Sequence, residues 1–256
     1  MEITKIQQLV DEYQRLAKGV INYERFTWYA ISHHSTAIEG STLTEKQSVD
    51  LLEFGKTAAK KPIEDHLMLL DYYNALKYTL NVASERNPVV YVSIDLLKTI
   101  ASKVKLNTGE VVNSLPGTFD TAKGDFRLCS VWAGSRMFPD YSKVPGMVKD
   151  LCNRVTTDMV KAKTFDEKCS LAFSAHFELV SIHPFGDGNG RTSRLLMNFI
   201  QAHFNLPLSI VYKQDRLKYI DALEVARKKE DITPFLTFMY SQYAKFLKTE
   251  ISRLKQ

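Results

Sequence analysis

His183-Pro184-Phe185-Gly186-Asp187-Gly188-Asn189-Gly190-Arg191-Thr192-Ser193-Arg194 is the stretch on which the reading of this 256-residue chain turns. Proline disfavours helical geometry in the residue before it, so a helix arriving from 173–182 should end at His183. That puts an imidazole on an exposed turn at a helix C-terminus. Histidine is the side chain best suited to take a proton near neutral pH, and the helix end favours its charged form. Gly188 and Gly190 permit close backbone approach, so the N–H groups of Gly188-Asn189-Gly190 can converge at the start of the next helix. Such a nest suits phosphate. Arg191 and Arg194, one helical turn apart, suit a polyphosphate better than one small anion. Asp187 offers a hard oxygen, and one carboxylate plus phosphate oxygens and water is how Mg2+ is usually held. Two ordinary readings compete. Glycine-rich runs of this kind are often surface turns. A Ca2+-binding EF-hand fails because Arg191 stands at a ligand position and no Glu closes the loop.

Working outward, helix-period patterns dominate. Ile6, Leu9, Val10, Tyr13 and Leu16 share one helical face. Further helices are expected over Asn22–Ile38, Glu45–Phe54, Glu64–Asn81, Ser93–Lys103, Val144–Met159, Asp166–Ile182, Thr192–Phe204, Asp215–Arg227 and Ile232–Leu254. Gly40 breaks the second, and Thr44 with Gln47 reads as a capping box for the third. The stretch from Thr108 to Pro145 is instead punctuated by Gly109, Gly117, Gly124, Gly134, Pro116 and Pro139. Its centre, Phe126 to Gly134, reads as a short strand or hairpin. The fold class expected is all-α, a helical bundle around the motif with one small β-hairpin flap.

Composition excludes several classes. A 45% hydrophobic and 25% charged chain is globular, neither disordered nor collagen-like. No stretch has the apolar length of a membrane span, and the charged N-terminus does not read as a secretory signal. Cys129, Cys152 and Cys169 are odd in number and scattered, which predicts reduced thiols and a cytoplasmic protein. The net charge of +5 permits nucleic acid but does not demand it, and no basic–aromatic stripe is present.

The motif His-Pro-Phe-x-Asp-Gly-Asn-Gly-Arg-x-x-Arg resembles the signature of the Fic (Fido) domain family, and residues 183–194 match it without departure. The resemblance extends over roughly Ile94 to Tyr240. It implies a Fic catalytic domain at 94–240, preceded by an N-terminal helical region at 1–93 and followed by a helix end at 241–256. It also implies a nucleotidyltransferase: a protein adenylyltransferase (AMPylation) moving AMP from ATP to a Ser, Thr or Tyr hydroxyl of an unidentified target, self-modification included. His183 would be the general base and Asp187 would hold Mg2+. Gly188, Asn189, Gly190, Arg191 and Arg194 would bind the triphosphate. Tyr219 would contact the nucleoside, and Ala133, Gly134, Ser135 and Arg136 would form the target-docking flap. Arg227 departs from a family Asn at the adenine. Gly190 stands where target-phosphorylating relatives carry Lys.

Ser35-Thr36-Ala37-Ile38-Glu39-Gly40 resembles the family's inhibitory motif. It implies autoinhibition, with Glu39 forming a bidentate pair with Arg194 over the γ-phosphate position and Ser35 seating the helix. The same Glu assists AMP removal in some relatives, so a de-AMPylase is one alternative. A nucleotide-binding regulatory module without turnover is another, and homo-oligomer formation is left open. Among the other histidines, adjacent His33 and His34 point to different faces, which argues against a metal pair. His176 reads as packed, and His66 and His203 lack evident partners.

Overall fold

The computed structural model describes residues 3–20, 23–85, 91–133 and 136–256. Helices over these residues are α1 (Ile3–Ala17), α2 (Tyr23–Ile38), α3 (Glu45–Phe54), α4 (Ile63–Ser84), α5 (Ile94–Val104), α6 (Val144–Lys161), α7 (Phe165–Ile182), α8 (Asn189–His203), α9 (Arg216–Lys229) and α10 (Thr233–Leu254). Among the described residues there are two short antiparallel strand pairs: β1 (Val111–Ser114) with β2 (Gly117–Asp120), and β3 (Trp132–Ala133) with β4 (Arg136–Met137). The mostly helical class expected from the sequence is the one observed.

Local signals set the helix ends. Thr44 Oγ1 accepts from Gln47 N while Gln47 Oε1 accepts from Thr44 N, the expected capping box. Thr164 and Glu167 form a second one at the start of α7. Gly40 follows the end of α2 at φ 114°, a conformation open chiefly to glycine. The α10 helix runs unbroken through residues 240–241.

The α8 helix lies at the centre, between α7, α4 and α5. From Arg191 to Gln201 every residue is buried. A helix covered on all sides buries its polar residues too, and here these include Arg191, Arg194, Asn198 and Gln201. Asn198 Nδ2 donates to Gln201 Oε1 and Ser209 O, and Gln201 pairs with Ser209, while Asn198 Oδ1 is buried without a partner. Arg194 faces the other way, toward Ser35 on α2, while Arg191 turns back to Asp187 in the motif loop.

The short strand or hairpin expected within Phe126–Gly134 is present only as the strand Trp132–Ala133. Phe126 makes a single bridge to Phe185, and strand pairing begins only at Trp132. The reason lies in Arg127, fully buried, whose backbone N–H donates to Pro184 O and whose guanidinium reaches three further carbonyls. That segment is tied to the motif loop and has no strand partner of its own.

Candidate active site

The motif forms a helix–loop–helix. Pro184 ends α7 at Ile182 as expected, and His183 takes a left-handed conformation (φ 54°) as its C-cap. The exposed turn is corrected. His183 is half-buried, its ring stacked on Phe138 with centroids 3.9 Å apart. Burial, opposed by the Val180 carbonyl and aided by Arg127 and Arg227, pulls its pKa down to about 4. The expectation from the helix dipole was the opposite sign; desolvation wins. The imidazole is therefore neutral at pH 7. Nδ1 lies 3.3 Å from Val180 O, which can only accept. The proton thus sits on Nδ1, and Nε2 keeps its lone pair.

Helix α8 begins at Asn189, three residues earlier than expected, with Gly188 at φ 80° as its N-cap. No side chain caps it. Its first-turn N–H groups lack intrahelical partners by geometry and carry the positive end of the dipole. The side chain of Asn189 is engaged elsewhere. It accepts from Phe185 N at 2.9 Å and donates to Phe185 O at 2.8 Å, which fixes the loop shape. Arg191 is 2% exposed, and its Nε and Nη1 are buried without a partner. Arg194 Nη1 is in the same state.

Glu39 and Ser35 arrive from the end of α2. Arg194 Nη2 donates to Glu39 Oε1 at 2.6 Å, and Nε donates to Ser35 Oγ at 2.7 Å. The expected bidentate geometry is corrected to a single hydrogen bond, because Ser35 takes Nε and also accepts Nη2 on its carbonyl at 3.1 Å. Burial alone would lower the Arg194 pKa, but the Glu39 charge and hydrogen bond together with the neighbouring Tyr219 and Tyr72 raise it. Glu39 Oε1 sits over the first turn of α8: a Cβ added at Gly190 would come within 2.5 Å of it.

Asp187 is 54% exposed, with Oδ1 accepting from Gly188 N at 2.6 Å. Its Oδ2 meets Lys105 Nζ at 2.6 Å and Arg191 Nη2 at 3.0 Å. Partial burial raises its pKa, but Arg191 and then Lys105 overcome this and hold it at about 2. An ionised, half-exposed carboxylate would suit one position of a Mg2+ ion whose other ligands would come from phosphates, the anions that the unpartnered nitrogens of Arg191 and Arg194 would receive. Among the described residues no group of three or more His, Cys, Asp or Glu could hold a metal alone.

Tyr219 is buried, with its hydroxyl 2.9 Å from His176 Nε2, and it backs Arg194 from the interior. Arg227 donates from Nε to Ser181 Oγ and from Nη2 to Val180 O, beside His183. Burial first, and then the neighbouring Arg136, lower its pKa to about 10. Ala133 and Arg136 pair across the flap, as do Trp132 and Met137, both exposed. Gly134 and Ser135 lie outside the described residues. Away from the site, His33 hydrogen-bonds Ser48, and His66 is bonded to Ala58 N and Pro62 O. Sequence reasoning missed Lys105 and Phe138, and it read Arg127 as flap rather than anchor. Only tertiary proximity reveals them, since each is unremarkable in its local context.

Residues 91–201 match the profile of the Fic/DOC family. The chain is 31% identical to a protein adenylyltransferase Fic of Culex quinquefasciatus over 239 residues, 93% of this chain and 44% of that protein. A protein adenylyltransferase Fic of Aedes aegypti is 34% identical over 209 residues, 81% of this chain and 38% of that protein. The chain thus spans less than half the length of these relatives. A Fic domain containing signaling protein from Bacteroides thetaiotaomicron superposes with a TM-score of 0.84 at 20% identity, covering 98% of this chain and 96% of that one, which is a likeness of fold. Fic-1 from C. elegans superposes at 0.77 with 25% identity, covering 98% and 71%. No described helix is long and apolar enough to cross a membrane.

Proposed function

This chain belongs to the Fic/DOC family, and from that premise we propose that it is a protein adenylyltransferase moving AMP from ATP to a protein hydroxyl. The observation that carries the reading is the set of three buried, unpartnered guanidinium N–H groups on Arg191 and Arg194. Buried donors without acceptors are costly, by about 1–3 kcal/mol each and more when charged, so a site built with them expects an anionic ligand. They flank an uncapped helix N-terminus, and a neutral imidazole lies in the same loop.

In this mechanism the triphosphate lies over the first turn of α8, received by its amides, Arg191 and Arg194. His183 Nε2 takes the proton of a Ser, Thr or Tyr hydroxyl. The oxygen attacks the α-phosphorus, the bond to the bridging oxygen breaks, and pyrophosphate leaves. Mg2+ held by Asp187 and the phosphates would supply charge neutralisation to the leaving group. Phosphoryl chemistry of this kind depends on positioning, which the Phe138 stack and the Arg127 anchor give to His183. The β3–β4 edge would receive an extended target segment by strand addition.

The resting protein is autoinhibited in this reading. Glu39 already places a carboxylate on Arg194 and over Gly190, so the last phosphate of ATP meets a like charge. Incubating Glu39→Gly protein with labelled ATP, CTP, GTP or UTP tests both parts. Incorporation of label from ATP well above wild type, self-modification included, is expected. Nucleotide binding without incorporation would instead leave a regulatory binding module.

A further inference from the structure

Lys105 reaches Asp187 from 82 residues away. It follows α5 as its C-cap, where a helix end favours a cation. Its side chain is 10% exposed, against 54% for Asp187. The stem is built into the nest. A Cβ at Gly188 would meet Lys105 Cγ at 3.4 Å and Cδ at 3.6 Å, so the missing side chain there makes room for the lysine. The ammonium then lands on Oδ2, the oxygen that Arg191 also holds. Oδ1 is taken up with Gly188 N. Both lone pairs of Oδ2 are therefore occupied by cationic donors and one of the two on Oδ1 by an amide, so a metal ion that binds at Oδ2 must displace one of the cations.

We propose that Lys105 is a positioning residue that competes with the divalent cation for Asp187 Oδ2, so that loading of metal and nucleotide displaces its ammonium. The proposal rests on the assignment of Asp187 as the metal ligand. A second carboxylate makes the displacement inexpensive. Asp71 on α4 is 1% exposed and lies within electrostatic reach of both Lys105 and Arg191. Its own oxygens accept from Asn107 N and Nδ2 at 2.8 and 2.6 Å, which holds it in place. Burial raises the Asp71 pKa while Asn107, Arg191 and Lys105 oppose this, so an ammonium released from Asp187 would remain in the field of this carboxyl group and of the incoming phosphates. Lys105 thus sets the metal concentration at which the site fills, and it pre-orients Asp187 until then.

The test measures Mn2+ binding, by electron paramagnetic resonance, to the full chain carrying Glu39→Gly in the presence of a non-hydrolysable ATP analogue. Lys105→Met keeps the stem and removes the charge. It should bind Mn2+ on the order of tenfold more tightly, because one competing cation at contact distance is gone. Lys105→Arg should stay near the parent, and Lys105→Gln should follow Lys105→Met if the latter folds poorly. Unchanged or weaker Mn2+ binding in both neutral variants would overturn the proposal. An Asp187→Asn control separates the two readings. If it abolishes Mn2+ binding while the lysine variants change nothing, only the competition fails. If it leaves Mn2+ binding intact, the metal-ligand assignment fails with it.

Discussion

Replacing Glu39 by glycine removes the one charged partner of a guanidinium that is 3% exposed. Arg194 keeps two neutral acceptors, Ser35 Oγ on Nε and Ser35 O on Nη2, and loses the acceptor of the other Nη2 hydrogen beside an already unpartnered Nη1. A full pair at ~4 Å would be worth about 4 kcal/mol at an effective dielectric of 20. Glu39 is 29% exposed, so water screens part of this, and roughly 1–2 kcal/mol is the stability expected to be lost. For a chain of this length that lowers the melting temperature by about 2–4 °C. The same change leaves Arg194 seeking an anion. Mg-ATP at ~100 times its dissociation constant should restore about 2.7 kcal/mol to the variant. In the wild type the triphosphate must first break the Glu39 contact, so its thermal shift should be smaller by the energy of that contact. Thermal melts of both proteins, with and without Mg-ATP, read all four values. If the variant melts with the wild type and ATP shifts both equally, the Glu39–Arg194 contact is not what restrains nucleotide binding.

Three further outcomes are expected. The His183 ring should titrate near pH 4, not 6.5, in an NMR titration assigned by comparison with His183→Ala. Because its folded pKa lies below the unfolded value, the stability it contributes is complete above about pH 6.5 and is lost as pH falls toward 4. His34, lowered to about 3 chiefly by burial, adds to the same trend, so melts at pH 5 should lie below those at pH 7. A ring that titrates at 6.5 would mean the Phe138 stack is open in solution. Gly190→Ala, introduced into the Glu39→Gly background, should abolish label incorporation, since a side chain there intrudes on the first turn of α8; full activity would place the phosphates elsewhere. Arg127→Met should cost about 2–4 kcal/mol by stranding the carbonyls of His183, Cys129 and Pro139, and should lower incorporation as well. An unaltered melting temperature would deny Arg127 its anchoring part.

Much of this was legible because helix ends and phosphate nests are local chemistry. Pro184 stopping α7, Thr44 capping α3 and glycines opening α8 each depend on neighbours within a few residues. The bundle follows from apolar periodicity, though the sequence of α8 does not show how deep it lies, because its polar residues are buried along with its apolar ones. Where expectations missed, the cause was three-dimensional. The sign of the His183 shift depends on Phe138 from the flap, 45 residues away in sequence, covering its ring. The single-bonded Glu39 contact depends on Ser35 claiming Nε of the same guanidinium. Lys105 looks like any lysine at the end of a helix until the fold brings Asp187 to it.

Transfer of AMP through His183 is tested most directly by giving Glu39→Gly protein ATP labelled in turn at the α- and the γ-phosphate, beside a Glu39→Gly/His183→Ala double variant. Covalent label from the α position alone, found in the single variant and absent from the double one, is the result expected. Label retained from the γ position, or equal labelling of both variants, would contradict adenylyl transfer by this imidazole.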